Sequence, residues 1–149
     1  MADLTAAKLV NIVKNNDPEG IVVDLLMGAT ETIQKGAFVS LDSGDLFGAP
    51  LAGGEIFAGI ALEKKVSGAT NGDTTIKVLS GAAVFQYAIT SIAQADIGKA
   101  IYASDDHTLT LADTTASAVG RIINVPATGT AIIQMRLVGD TLVQAASAV

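Results

Sequence analysis

From Ile21 onward, apolar and polar side chains alternate with the two-residue period of β-strands. Ile21 to Met27 reads as a strand closed by Gly28. Ala37, Val39 and Leu41 share one strand face, with Phe38 and Ser40 on the other. Ile56 to Leu62 is apolar enough to predict a largely buried strand, followed by a polar excursion from Glu63 to Asp73. Thr74 to Leu79 places Ile76 and Val78 inward and Thr75 and Lys77 outward, and Ala82 to Ala88 follows after Gly81. Residues 90–97 fit a loop or a helical turn. Ala100 to Ala103 and Thr108 to Leu111 flank Ser104-Asp105-Asp106-His107, whose residues suit a tight hairpin. Val119 to Val125 ends at Pro126, and Thr130 to Leu137 alternates, with Ile133, Met135 and Leu137 on one face. The turn Asp42-Ser43-Gly44-Asp45 and the glycines and proline at 48, 50, 53 and 54 separate these strands.

The pattern occurs twice. Gly36 to Asp42 is answered by Gly98 to Asp105, with Gly98 lying 62 positions after Gly36. Gly59-Ile60-Ala61-Leu62-Glu63 is answered by Gly120-Arg121-Ile122-Ile123-Asn124, 61 positions later. Gly72 to Val78 has a looser echo in Gly129 to Leu137. Two copies are too few for a solenoid, so a duplicated sheet, as a sandwich or barrel, is expected.

Residues 1–16 follow another period. Asp3 is placed to cap a short helix with Leu4, Leu9, Ile12 and Val13 along one apolar face, ended by Asn15-Asn16-Asp17-Pro18-Glu19-Gly20. About three turns are marginal alone, so this helix either docks on its own domain or reaches a neighbouring subunit. The segment Leu142 to Val149 carries no side-chain charge and is expected to pack or pair. The organisation is therefore residues 1–27 as arm and first strand, and 28–149 as the main β-domain.

Composition narrows the function. The chain has 149 residues, 50% of them apolar and only 16% charged, where an ordinary soluble domain has about 25% charged. Mean hydropathy is +0.49, yet no run approaches the roughly 18 apolar residues of a membrane helix, and no secretory leader is expected. Two readings follow: part of the surface is covered in the working state, or Ala, Gly, Thr and Ser inflate the index over a mildly polar surface. A net charge of −6 argues against nucleic-acid binding, which needs a positive field. With no cysteine, disulfides, thiolate nucleophiles and cysteine-held zinc are excluded.

Candidate chemistry is sparse. His107 is the single histidine, so any Ser-His-Asp triad must use it. In a hairpin tip beside Asp105 and Asp106 it lacks the dry pocket that gives such groups force, and a solvated turn is expected. Asp42 and Asp45 lack the ligand spacing of a calcium loop and read as a turn bonding its own backbone. The Gly-rich stretches lack the Gly-Lys-Ser/Thr signature of a phosphate cradle. No catalytic, cofactor or metal residue is assigned, and no enzyme is expected.

The ordered series Gly36 to Asp42, Gly59 to Glu63, Gly72 to Val78, Gly98 to Tyr102, Val119 to Ile122 and Gln134 to Leu137 resembles the capsid decoration (cement) proteins of tailed bacteriophages. The resemblance spans about residues 28–138. It implies an all-β, compact β-barrel or β-tulip-like domain with internal duplication and a short N-terminal helix or arm. It implies a homotrimer bound to the major capsid protein on the outer surface of an expanded head, at capsomer junctions, made in the host cytoplasm. No nucleic acid, membrane or cofactor is implied. On this reading Leu4, Leu9, Ile12 and Val13 seat in a groove of the shell, or Ile21, Val23 and Leu25 belong to a strand added to a capsid sheet. The alternatives are another virion component, from tail or head joint, and a small β carrier or ligand-binding domain.

Overall fold

A computed structural model describes residues 3–8, 11–12 and 20–138. The chain is built of antiparallel strands, in the order β1 (Asn11–Ile12), β2 (Gly20–Leu26), β3 (Thr32–Ile33), β4 (Phe38–Leu41), β5 (Gly48–Pro50), β6 (Ile56–Ala61) and β7 (Lys65–Val66). There follow β8 (Thr75–Gly81), β9 (Val84–Ala88), β10 (Ala100–Asp105), β11 (Thr108–Thr110), β12 (Ser117–Ala127) and β13 (Thr130–Met135). One 3-10 turn, Gln94–Asp96, falls in the stretch where the sequence leaves loop and helical turn open. The first sheet runs β2-β8-β6-β4-β5, the second β1-β9-β13-β12-β10-β11, and β3 pairs with β7 in a small third sheet. The all-β class read from the alternation holds, as open sheets packed face to face.

The duplication is present in the hydrogen bonds. Strands β2, β8, β6, β4 and β5 have counterparts in β9, β13, β12, β10 and β11, in the same spatial order. Val39 lies opposite Gly59, and Ile101 opposite Gly120; in each pair of strands the register then slips at the next residue, Ser40 or Tyr102. Gly36 donates its N–H to the Ala61 carbonyl at 2.8 Å, and Gly98 donates to Ile122 at 2.8 Å. Such a bulge bends the strand and strengthens its twist, so both sheets carry the same bend.

The copies do not face each other symmetrically. Ile101, Val119, Ile122, Ala131 and Ile133 of the second sheet turn toward the first sheet and form the main core. Their counterparts Val39, Ala58, Ala61, Ile76 and Val78 turn away from the second sheet and form a separate core on the far side. The first sheet fills the main core with its other face, through Phe38, Phe57 and Ile60. It is therefore a middle layer, apolar on both sides, which explains the largely apolar run of β6. In the second copy the position of Ile60 is taken by Arg121, because that face looks outward. Part of the far core is covered by β3 with β7 and by the N-terminal segment.

The N-terminal helix is not formed over the described residues. Residues 3–8 are irregular, and Asn11–Ile12 adds a strand to the edge of β9, with Ile12 opposite Phe85. Backbone partners outweigh helix propensity here: Lys8 donates its N–H to the Lys35 carbonyl at 2.8 Å, and its ammonium lies 4.7 Å from the Tyr87 ring centroid. Strand β13 also ends at Met135, before the Leu137 that its alternation included, and Leu137 is 53% exposed.

Candidate interaction surface

Strand β2 lies at the edge of the first sheet, with β8 as its one partner among the described residues. An open edge presents unpaired N–H and C=O groups to any other chain. Natural edges are blunted by lysine or proline, but β2 reads Gly-Ile-Val-Val-Asp-Leu-Leu, with one charge. That charge, Asp24, pairs with Lys77 at 3.0 Å on the surface. Ile21 is 61% exposed, Val22 56% and Leu26 48%.

Ile21, Val23 and Leu25 share one face of β2, and with Leu41 and Ala58 they line an apolar groove of about 300 Å3. Leu137 and Val138 close it at the Ile21 end, where Ser80 and Gly81 of β8 also reach it. This groove has a buried twin. Val23 lies opposite Val78 and Phe85 opposite Ile133, and Val78 and Ile133 pair in turn with the equivalent residues Ala61 and Ile122, so Val23 matches Phe85; likewise Leu41 matches Ala103 and Ala58 matches Val119. All three counterparts are buried in the main core, against the back of the first sheet. The duplication thus yields one apolar face twice: once covered by a sheet, once left partly open to solvent.

The other residues assigned to partner contact are placed differently. Leu4 is half-buried and packs against the far core, so it is engaged by its own domain. Ile12 sits in β1. Leu9 and Val13 lie outside the described residues. The structure brings Ile21, Val23 and Leu25 together as the alternation of β2 dictates, and adds Leu41, Ala58, Leu137 and Val138. No local signal joins these four to β2, because they come from β4, β6 and the segment after β13. The duplication could have found the first two, since their counterparts belong to a core.

The hairpin tip between β10 and β11 is not the solvated turn expected. Asp106 is 1% exposed, because the N-terminal segment lies over it. The Leu4 N–H donates to both Asp106 carboxylate oxygens, at 2.9 and 2.7 Å, and His107 Nδ1 lies 2.8 Å from Oδ1. The Asp106 carbonyl accepts the Phe38 N–H at 2.8 Å, and the Tyr87 hydroxyl donates to the His107 carbonyl at 2.9 Å. Burial, with Asp105 and Asp106 nearby, pushes the Tyr87 phenol upward, so it stays a donor. Burial and Asp106 also raise Asp3. Asp105, Asp106 and His107 offer three ligand atoms within 4.8 Å of one another, but both oxygens of Asp106 already hold the arm. The arrangement acts as a latch.

The Asp106→Ala substitution should therefore cost about 1–3 kcal/mol, the penalty for a buried donor left without its acceptor. Urea unfolding would measure it, and hydrogen exchange should show faster exchange at Leu4. Unchanged exchange there would refute the latch.

His107 also borders a cleft of about 680 Å3 lined by hydroxyls such as Thr90, Ser91 and Thr108, with no carboxylate in its wall. That leaves the imidazole without an acid or base partner facing the same space. Asp42 and Asp45 bond their own turn: Asp42 Oδ1 accepts from Gly44 at 2.7 Å, and Asp45 Oδ1 from Phe47 at 3.0 Å. Compared with protein-family models, curated proteins and solved structures, the chain gives no match.

Proposed function

We propose that this chain is a structural docking protein, a capsid decoration (cement) protein of a tailed bacteriophage. It binds the major capsid protein through the open face and edge of β2. The observation that carries this reading is the groove of Ile21, Val23 and Leu25, whose internal counterpart is buried under another sheet. An apolar face with an unpaired strand edge takes an added strand or a flat apolar surface, with main-chain bonds giving affinity and side-chain pockets giving selectivity. The ordered sequence stations between Gly36 and Leu137 supply the viral assignment.

In this role the protein works by clamping. Each copy bridges neighbouring shell subunits on the outer surface of the expanded head, so opening the shell breaks several contacts at once. Three copies in one homotrimer raise the effective affinity by roughly 10²–10⁴ when the geometry matches. Binding only the expanded lattice stabilises that state by mass action. No cofactor, nucleic acid or membrane enters the mechanism.

Co-sedimentation with expanded and unexpanded phage heads tests the reading, with solution mass measured alongside. Binding to expanded heads alone, by a trimer, is the expected result. Ile21→Lys should weaken that binding about tenfold or more, a loss of about 1.4 kcal/mol, while leaving the fold intact because the side chain is 61% exposed. A monomer that binds neither kind of head would overturn the proposal.

A further inference from the structure

We infer that the cleft beside His107 is a binding site for a neutral saccharide, separate from the β2 groove. The cleft exists because the two copies of the duplication close differently. In the first copy the chain leaving β2 bonds straight across to β5: Met27 bridges Gly48, and Gly28 donates its N–H to the Gly48 carbonyl at 2.8 Å. Glycine permits that approach, since a Cβ at Gly48 would lie 2.8 Å from a Leu25 methyl carbon and 3.3 Å from the Leu26 carbonyl oxygen. In the second copy Leu109 holds the position of Gly48, opposite Ala103 as Gly48 is opposite Leu41. Its side chain keeps the chain leaving β9 away from β11. Ile89 instead donates its N–H to the Gly129 carbonyl at 2.9 Å, on the turn between β12 and β13. The gap left is the cleft of about 680 Å3, within the ~300–1,000 Å3 usual for small-molecule sites.

Both walls are held before any ligand arrives. On one side Gly129 donates its N–H to the Ile92 carbonyl at 3.0 Å. Ser91 is thereby kept at a φ of +65°, a strained conformation that only such enforcement sustains. On the other side the His107 backbone N–H donates to Asp105 Oδ1 at 3.0 Å, and its carbonyl accepts the Tyr87 hydroxyl at 2.9 Å. The buried Asp106 carboxylate accepts from Nδ1 at 2.8 Å. Nδ1 therefore carries the proton, and the neutral ring offers Nε2 as an acceptor. Nε2 has no partner among the described residues.

The lining selects the ligand. Thr90, Ser91, Ser104 and Thr108 bring hydroxyls to the wall, beside the aliphatic Ile89 and Leu109. None of these four hydroxyls has a hydrogen-bond partner among the described residues. Among the described residues, no aspartate, glutamate, lysine, arginine or aromatic ring lines the space. An ion would lose hydration there without a countercharge, and a purely apolar ligand would strip water from the hydroxyls. A nucleobase would find no ring to stack on. A sugar meets none of these obstacles. Its hydroxyls exchange water for protein hydroxyls and Nε2, and its C–H face rests on the aliphatic side chains.

Nitrogen-15 NMR titration of the free chain reads the site without any phage head, so its outcome stands apart from docking through β2. The probes are neutral mono- to trisaccharides of glucose, galactose, mannose and N-acetylglucosamine, with inorganic phosphate as the charged control. The expected result, for at least one saccharide at millimolar concentration, is saturable shifts confined to the amides of residues 89–92 and 107–111. Thr90→Val with Thr108→Val removes two exposed hydroxyls at nearly constant volume and should weaken that binding about tenfold. His107→Leu, which removes Nε2, should weaken it about as much; if that change loosens the hairpin, the threonine pair still decides. Shifts produced by phosphate alone, shifts scattered over the surface, or none with any saccharide would each overturn the inference. So would a threonine double variant that folds and binds as tightly as the parent.

Discussion

Gly120→Val should prevent stable folding, with a loss of about 4 kcal/mol or more, the range reached when backbone atoms have no room to move. Gly120 pairs with Met135 across β12 and β13, and a Cβ there would run into the Gln134 carbonyl oxygen and its backbone carbon. A rotamer change relieves a clash with a side chain, but not one with a neighbouring strand. β13 is also internal, held between β9 and β12, so it cannot swing away without breaking a second ladder. Against a total stability of about 5–15 kcal/mol, such a loss leaves little folded protein. The duplication makes the same demand at Gly59, where a Cβ would meet the Leu79 carbonyl oxygen. Gly98→Ala is the contrast: its φ of +92° is strained for alanine but no atom lies within 4 Å of the new carbon, so about 1–2 kcal/mol is expected. Urea titration of the two variants separates steric from conformational cost. A Gly120→Val protein within 1 kcal/mol of the parent would refute the close approach.

Phe38→Ala should cost about 3–5 kcal/mol, the usual toll for emptying a buried aromatic site that cannot collapse. Phe38 is fully buried and sits where the sheets meet. Its ring centroid lies 6.0 Å from Phe57 of its own sheet, and 6.3 and 5.1 Å from Phe85 and Tyr87 of the other. The chain has four phenylalanines and two tyrosines, so this cluster holds most of its rings. Removing the central one leaves Phe57 and Phe85 facing a void, since each is pinned by its own strand. The expected signature is a lower urea midpoint and a weakened near-ultraviolet circular dichroism signal, with Phe38→Leu recovering part of both. A loss under about 1 kcal/mol would mean that the sheets close over the gap.

Much of the architecture was legible because β-structure writes a period of two into the chain. The bulges at Val39 and Ile101, the turns at Gly36 and Gly98 and the hairpin of β10 with β11 all fall where the sequence repeats. The readings that failed are those that long-range partners override. Leu4, Leu9, Ile12 and Val13 have helical spacing, yet Asp106 takes the Leu4 N–H and β9 takes the backbone of Asn11–Ile12. Asp106 reads as a turn residue because nothing near it in sequence announces that the N-terminal segment will bury it. Leu137 continues an alternation, but Arg136 already donates to the Val119 and Ala118 carbonyls as the chain leaves the ladder.

The sequence by itself determined the all-β class, the duplication, and Ile21, Val23 and Leu25 as neighbours on one strand face, since each follows from local periodicity. Only the tertiary structure decided which copy of the repeated apolar face is buried. Both copies carry suitable residues for a core, and the choice depends on the large side chains Phe38, Phe57 and Ile60 turning the first sheet into a middle layer. That stacking buries the second copy's face and leaves the first copy's groove beside β2 open, a difference no single strand's pattern encodes.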